Sequence, residues 1–138
     1  MEFGLSQDQK MMQDSVHRTL ERAAPLARVR EAAEANAIAR DVHKALADLG
    51  VTGLLIPESF GGAGLKLLDA ALVSETLGRH AAPVPFIAAS VMAPLALIHA
   101  GSPEQQQRVL PKLAAGETIA GVAIAESVSG TRDGAGLT

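Results

Sequence analysis

The stretch from Gly53 to Phe86, GLLIPESFGGAGLKLLDAALVSETLGRHAAPVPF, limits the folds open to this chain. A short apolar run (Leu54, Leu55, Ile56) stops at Pro57, and glycines follow at Gly61, Gly62 and Gly64. Proline fixes φ and lacks an amide donor, while glycine admits left-handed turns, so no long regular element runs through this point. Leu65 to Leu77 returns to helical character, with Leu65, Leu68, Ala71 and Leu72 on one face and Glu75 opposite. Pro83 and Pro85 break the chain again before Phe86. A sequence punctuated in this way builds short helices joined by tight turns.

The flanks repeat the pattern. Ser6 with Gln9 three residues later is a capping box, and Met12, Val16 and Leu20 then recur every fourth residue until Pro25 intervenes. Leu26 to Ala39 is Ala-rich and less regular. Val42, Ala45, Leu46 and Leu49 give a second stripe, and Gly50 stands where a C-cap glycine belongs. Val51 to Ile56 is too short for a helix and reads as an extended connector on the core. Phe86 to Ala100 reads as a mostly apolar, centrally buried helix, kinked or interrupted at Pro94. Ser102 and Gln105 form another capping box, with Pro103 at the first helical position. That helix is expected to run to about Leu110, with Pro111 starting a short turn that Gly116 closes. In TIAGVAIA, Thr118 to Ala125, the alternation of Ile119, Val122 and Ile124 changes to that of a strand. Glu126 to Thr138 is polar and glycine-rich without a period.

Composition removes several function classes. Apolar residues make up 48% of the 138, but aromatics only 2%, so the core is Ala, Leu, Val and Ile, side chains that suit close helix packing. The net charge is −3 and Lys and Arg are scattered, so there is no basic stripe for nucleic acid. There is no Cys, hence no disulfide framework or thiolate metal site, which fits a reducing compartment, and the N-terminus lacks the pattern of a secretory signal. The expected location is cytoplasmic. Prolines and small residues between Ala81 and Ala100 favour a buried helix over a membrane span. The Gly61–Gly64 loop lacks the Lys-Ser/Thr of a P-loop and the spacing of a dinucleotide fingerprint, and reads as a tight turn. His17, His43, His80 and His99 never fall at ligand spacing, and no metal site is expected.

Three segments carry a resemblance: LSQDQKMMQDSVHRTLE, then KALADLGVTGLLIPESFGGAGL from Lys44 to Leu65, then EQQQRVLPKLAAGETIAGVAIAE from Glu104 to Glu126. In this order they resemble the opening helix, the "LG"-connector-Pro-Glu-x-x-Gly-Gly stretch and the Leu-Pro-x-Leu-x-x-Gly-Glu stretch of the acyl-CoA dehydrogenase flavoprotein family. The resemblance implies an all-α N-terminal helical bundle over residues 1–117 and the start of a middle β domain over 118–138. A strand in that position has open edges, so Thr118 to Thr138 is expected to be poorly ordered or paired with another chain.

The resemblance also implies an activity: FAD-dependent α,β-dehydrogenation of an acyl-CoA thioester, feeding an acceptor like electron-transferring flavoprotein. The catalytic base of such enzymes lies downstream of the residues here, so Glu58, Glu75, Glu117 and Glu126 are not candidates for it. The implied contribution of the helical bundle is a wall for the acyl tail, with Phe86, Ala89, Ser90 and Ala93 as substrate-binding residues; ordinary core packing is the alternative for each. Glu75 to Leu97 resembles a branch, often actinobacterial, that acts on bulky acyl-CoA esters including steroid side chains, some members working as heteromeric pairs. A homo- or hetero-oligomer is therefore expected. The family's flavin-contacting Thr-Glu-Pro-Gly-Ala-Gly-Ser-Asp is altered here. Ala125 replaces Thr, Ser127 replaces Pro, Thr131 stands in for the phosphate-binding Ser, and Arg132 is an apparent insertion before Asp133. Ala125, Gly130 and Thr131 are the candidate FAD-binding residues. Either the loop binds FAD in altered form, or the chain is a non-catalytic or shortened partner subunit.

Overall fold

The computed structural model describes residues 4–122, and these form six α-helices with no strand among them. α1 (Gln7–Ala23), α2 (Leu26–Glu34), α3 (Arg40–Asp48), α4 (Leu67–Arg79), α5 (Ala93–Ala100) and α6 (Pro103–Ala114) are joined by 3-10 turns at Val51–Gly53 and Glu58–Phe60 and by a π-helix at Ile87–Met92. α1 packs on α3 and α4, while α5, the π-helix and both 3-10 turns pack on α6. Val16 and Leu20 of α1, Val42 and Leu46 of α3, and Val73 and Leu77 of α4 form the main core. Ile56, Leu110 and Leu113 form a smaller one.

Both capping boxes are present. The Ser6 hydroxyl accepts the Gln9 amide at 3.1 Å while the Gln9 side chain accepts the Ser6 amide at 3.0 Å. Ser102 and Gln105 repeat the exchange. Gly50 takes the left-handed conformation beyond α3.

Several expectations are corrected. Val51 to Ile56 is not extended but wound into consecutive tight turns, all six residues buried. Buried amides need partners, and winding supplies them locally where an extended segment would need a neighbouring strand. The Gly53 amide donates to Gly50 and the Ile56 amide to Gly53. α4 turns a different face inward: Ala70, Leu72, Val73, Thr76 and Leu77 are buried, whereas Leu65, Leu68 and Ala71 are exposed. Polar tethers fix the rotation. Gln9 of α1 donates to Asp69 at 3.0 Å, and Asp69 accepts the Lys66 amide at 2.9 Å.

The segment Phe86 to Ala100 is interrupted as expected, but it is not central: Ile87, Ala96, His99 and Ala100 are exposed. α6 runs through Pro111 rather than stopping before it. The amide that proline lacks would have bonded the Gln107 carbonyl, and Gln107 is exposed to water. Residues 118–122 adopt no strand, and the rest of the expected strand lies outside the described residues.

Candidate functional site

The turn from Pro57 to Gly64 is pinned to the buried turn before it. The Ala63 amide donates to Gly53 at 2.9 Å, Gly64 to Ile56 at 2.9 Å and Leu65 to Leu54 at 2.8 Å, while Phe60 and Gly62 donate to Pro57 and Gly61 to Glu58. Every amide from Phe60 to Leu65 is thus engaged by a carbonyl, leaving none to cradle a phosphate. Gly62 lies so close that a Cβ would sit 2.0 Å from the Ile56 carbonyl oxygen. The glycine-rich loop is a structural lock.

The candidate acyl-facing residues follow α4. Its end is closed by the Ala81 and Ala82 amides donating to Gly78 and Leu77, with Ala81 at φ +47. The Pro83 carbonyl then accepts the Ala39 amide at 3.0 Å, fastening this loop to the start of α3. Pro94 explains the winding that follows. A proline clashes with the carbonyl four residues back and offers it no donor, and a wider turn relieves both. The chain takes the π form before it, the Ala93 amide donating five residues back to Ala88.

Phe86, Ala89, Ser90 and Ala93 are all buried, between 3% and 7% exposed. Phe86 belongs to the main core and also lines an open groove of about 310 Å3 with Leu77, Gly78, Ala82, Val84 and Ile87. Ala89, Ser90 and Ala93 lie in the π-helix and at the start of α5, which pack on α6. The side chains around the groove are aliphatic, aromatic or hydroxyl-bearing, with no titratable group. It can hold an apolar body and cannot move a proton. Ala125, Gly130 and Thr131 lie outside the described residues.

Two features had no signal in the sequence. His17 and His80, 63 residues apart, meet with Nδ1 and Nε2 at 2.8 Å, and His17 Nε2 lies 3.4 Å from Glu21. No third ligand joins the two rings to make a metal site among the described residues. His43 is buried beneath the turn that leaves α6. No helix among the described residues is long and apolar enough to cross a membrane.

The family described as "Acyl-CoA dehydrogenase, N-terminal domain" matches residues 6–117. The chain belongs to the acyl-CoA dehydrogenase family. It is 33% identical over 131 residues to the mitochondrial isovaleryl-CoA dehydrogenase of Pongo abelii, covering 93% of this chain and 31% of that one. Among solved structures, a variant of the Tcur3481-Tcur3483 steroid ACAD superposes with a TM-score of 0.74 at 32% identity, covering 81% of this chain and 31% of that one. The ChsE4-ChsE5 complex from Mycobacterium tuberculosis gives 0.78 at 28%, with 86% and 33% covered. The chain thus spans about a third of the length of these relatives.

Proposed function

We propose that this chain is the N-terminal part of an FAD-dependent acyl-CoA dehydrogenase acting on a bulky acyl-CoA. Residues 1–117 form its helical domain and 118–138 begin its β domain. The observation that carries the reading is the family match over residues 6–117, reinforced by superposition on a steroid ACAD. The reaction takes a proton from the α-carbon of the thioester and a hydride from the β-carbon; bound FAD would supply the hydride acceptor. The chain's own part is shape. The apolar groove at Phe86 and the small residues Ala89, Ser90 and Ala93 serve as wall for the acyl tail, keeping water from it. The base lies outside residues 4–122. Ala125, Gly130 and Thr131 stand as the flavin-contacting residues, an electron-transferring flavoprotein as the acceptor, and the cytoplasm as the location.

A second reading rests on the altered residues after Ala125 and on the paired relative ChsE4-ChsE5: a non-catalytic partner subunit of a heteromeric dehydrogenase. The test is anaerobic titration of the protein, purified from its own gene, with acyl-CoA thioesters of graded bulk. Bleaching of flavin absorbance supports the first reading. Co-purification with a second dehydrogenase-like chain that alone carries the flavin supports the other. A colourless protein that takes up no FAD and has no such partner contradicts both.

A further inference from the structure

We infer that the imidazole of His43 is an acid-sensitive latch that holds the turn leaving α6 against α3. His43 is only 7% exposed, and with Ala47, Ala115 and Gly116 it lines a cleft of about 230 Å3. The contact is close. Gly116 sits at φ +69, and a Cβ there would lie 2.4 Å from the Cβ of Ala47, one helical turn beyond His43. The turn therefore rests directly on the His43–Ala47 face.

Nε2 of His43 is buried and has no hydrogen-bond partner. A neutral ring can leave that nitrogen as an unused acceptor at modest cost. A protonated ring would bury an unpartnered N–H and a charge, which costs far more. The surrounding charges do not relieve it. Around the cleft stand Arg40, Lys44 and Asp48 of α3 and Glu117 of the turn. Asp48 is engaged by Lys44 at 2.9 Å, and Arg40 disfavours a second cation. Burial accordingly lowers the affinity of His43 for a proton below that of an ordinary imidazole, against the weaker opposing pull of the nearby Gly116 backbone.

The other side of the turn carries no such group. Gly116 and Glu117 donate their amides to Leu113 and Lys112 of α6, bonds that ignore pH in this range. Acid therefore acts on one face only, the seat on α3. Because the folded-state pKa is lowered, the stability this seat contributes is whole above the ordinary value of 6.5 and declines as pH falls from there toward the lowered value, where the ring itself protonates and the contact gives way. Were the ring to stay wholly neutral in the fold, the loss would reach a ceiling of about 30-fold in the folding constant at pH 5.0.

The test is urea denaturation of the 138-residue chain at pH 7.5 and 5.0, with H43L beside the parent. The parent is expected to lose more of its folding constant on acidification than H43L does, by a factor within that ceiling; equal losses overturn the latch. Should H43L not fold, an NMR titration of the parent decides. The His43 ring should titrate below the ordinary imidazole range, and the amides of Ala115, Gly116 and Glu117 should shift in the same transition. A ring that titrates in the ordinary range, or amides that do not follow it, overturns the proposal.

Discussion

Replacing Gly62 by alanine tests the lock between the two buried turns. A Cβ at this position would lie 2.0 Å from the carbonyl oxygen of Ile56, 2.5 Å from its carbon and 2.6 Å from its Cβ. Two of these atoms are backbone, so no rotamer change relieves the overlap. The chain must open by about 1 Å, which costs the bonds from Gly64 to Ile56 and from Ala63 to Gly53, each now 2.9 Å. With about 1–3 kcal/mol for each bond left unmade, the loss of the two comes to about 2–6 kcal/mol. That is a large share of a total of about 5–15 kcal/mol. Gly61 is the control. It has φ +80 and open space around its Cβ position, so alanine there costs only left-handed strain, about 1–2 kcal/mol. Urea denaturation monitored by far-UV circular dichroism measures both. If G62A is no more destabilised than G61A, the close approach is not what holds this segment.

Other outcomes follow from single contacts. Thr52 Oγ1 donates to the Ala114 carbonyl at 2.7 Å in a buried setting; T52V should cost about 1–3 kcal/mol in urea denaturation, and T52S should recover most of it. Removing the Ser102 cap by S102A should cost about 1 kcal/mol, read the same way. Arg28 hydrogen-bonds Asp41 at 3.0 and 2.6 Å and holds its carboxyl down at about 2. The contribution is present above the ordinary value of 3.8 and fades as pH falls through about 2, so D41N should flatten the acid limb of a stability–pH profile in that window.

Local signals carried much of the fold. The Ser6 and Ser102 caps, the Val16–Leu20 stripe, the Gly50 stop and the interruption near Pro94 are all decided by neighbours within a few residues. What failed depends on distant partners. Val51 to Ile56 is wound rather than extended because its buried amides find carbonyls locally, and the turn so formed is then held by the amides of residues 63–65, which the segment's own pattern does not reveal. The inward face of α4 follows from Gln9 reaching Asp69, a pairing across 60 residues. α6 passes through Pro111 because the orphaned Gln107 carbonyl can face water. At the candidate site, Phe86 lies beside an apolar groove, while Ala89, Ser90 and Ala93 are buried in helix packing, and no local pattern distinguishes a wall for a ligand from ordinary core at any of the four. The His17–His80 contact and the burial of His43 had no local signature at all.

The central claim is that this helical domain forms the wall of an acyl site. An acyl-CoA with a photoreactive diazirine at the end of its acyl tail, irradiated with the purified protein and any partner that accompanies it, tests that directly. Mass spectrometry should place the label between residues 77 and 97 of this chain, with competition by the unlabelled thioester. Competed label found only on α1 and α2, or none on this chain while a flavin in the same preparation is reduced, would contradict the account.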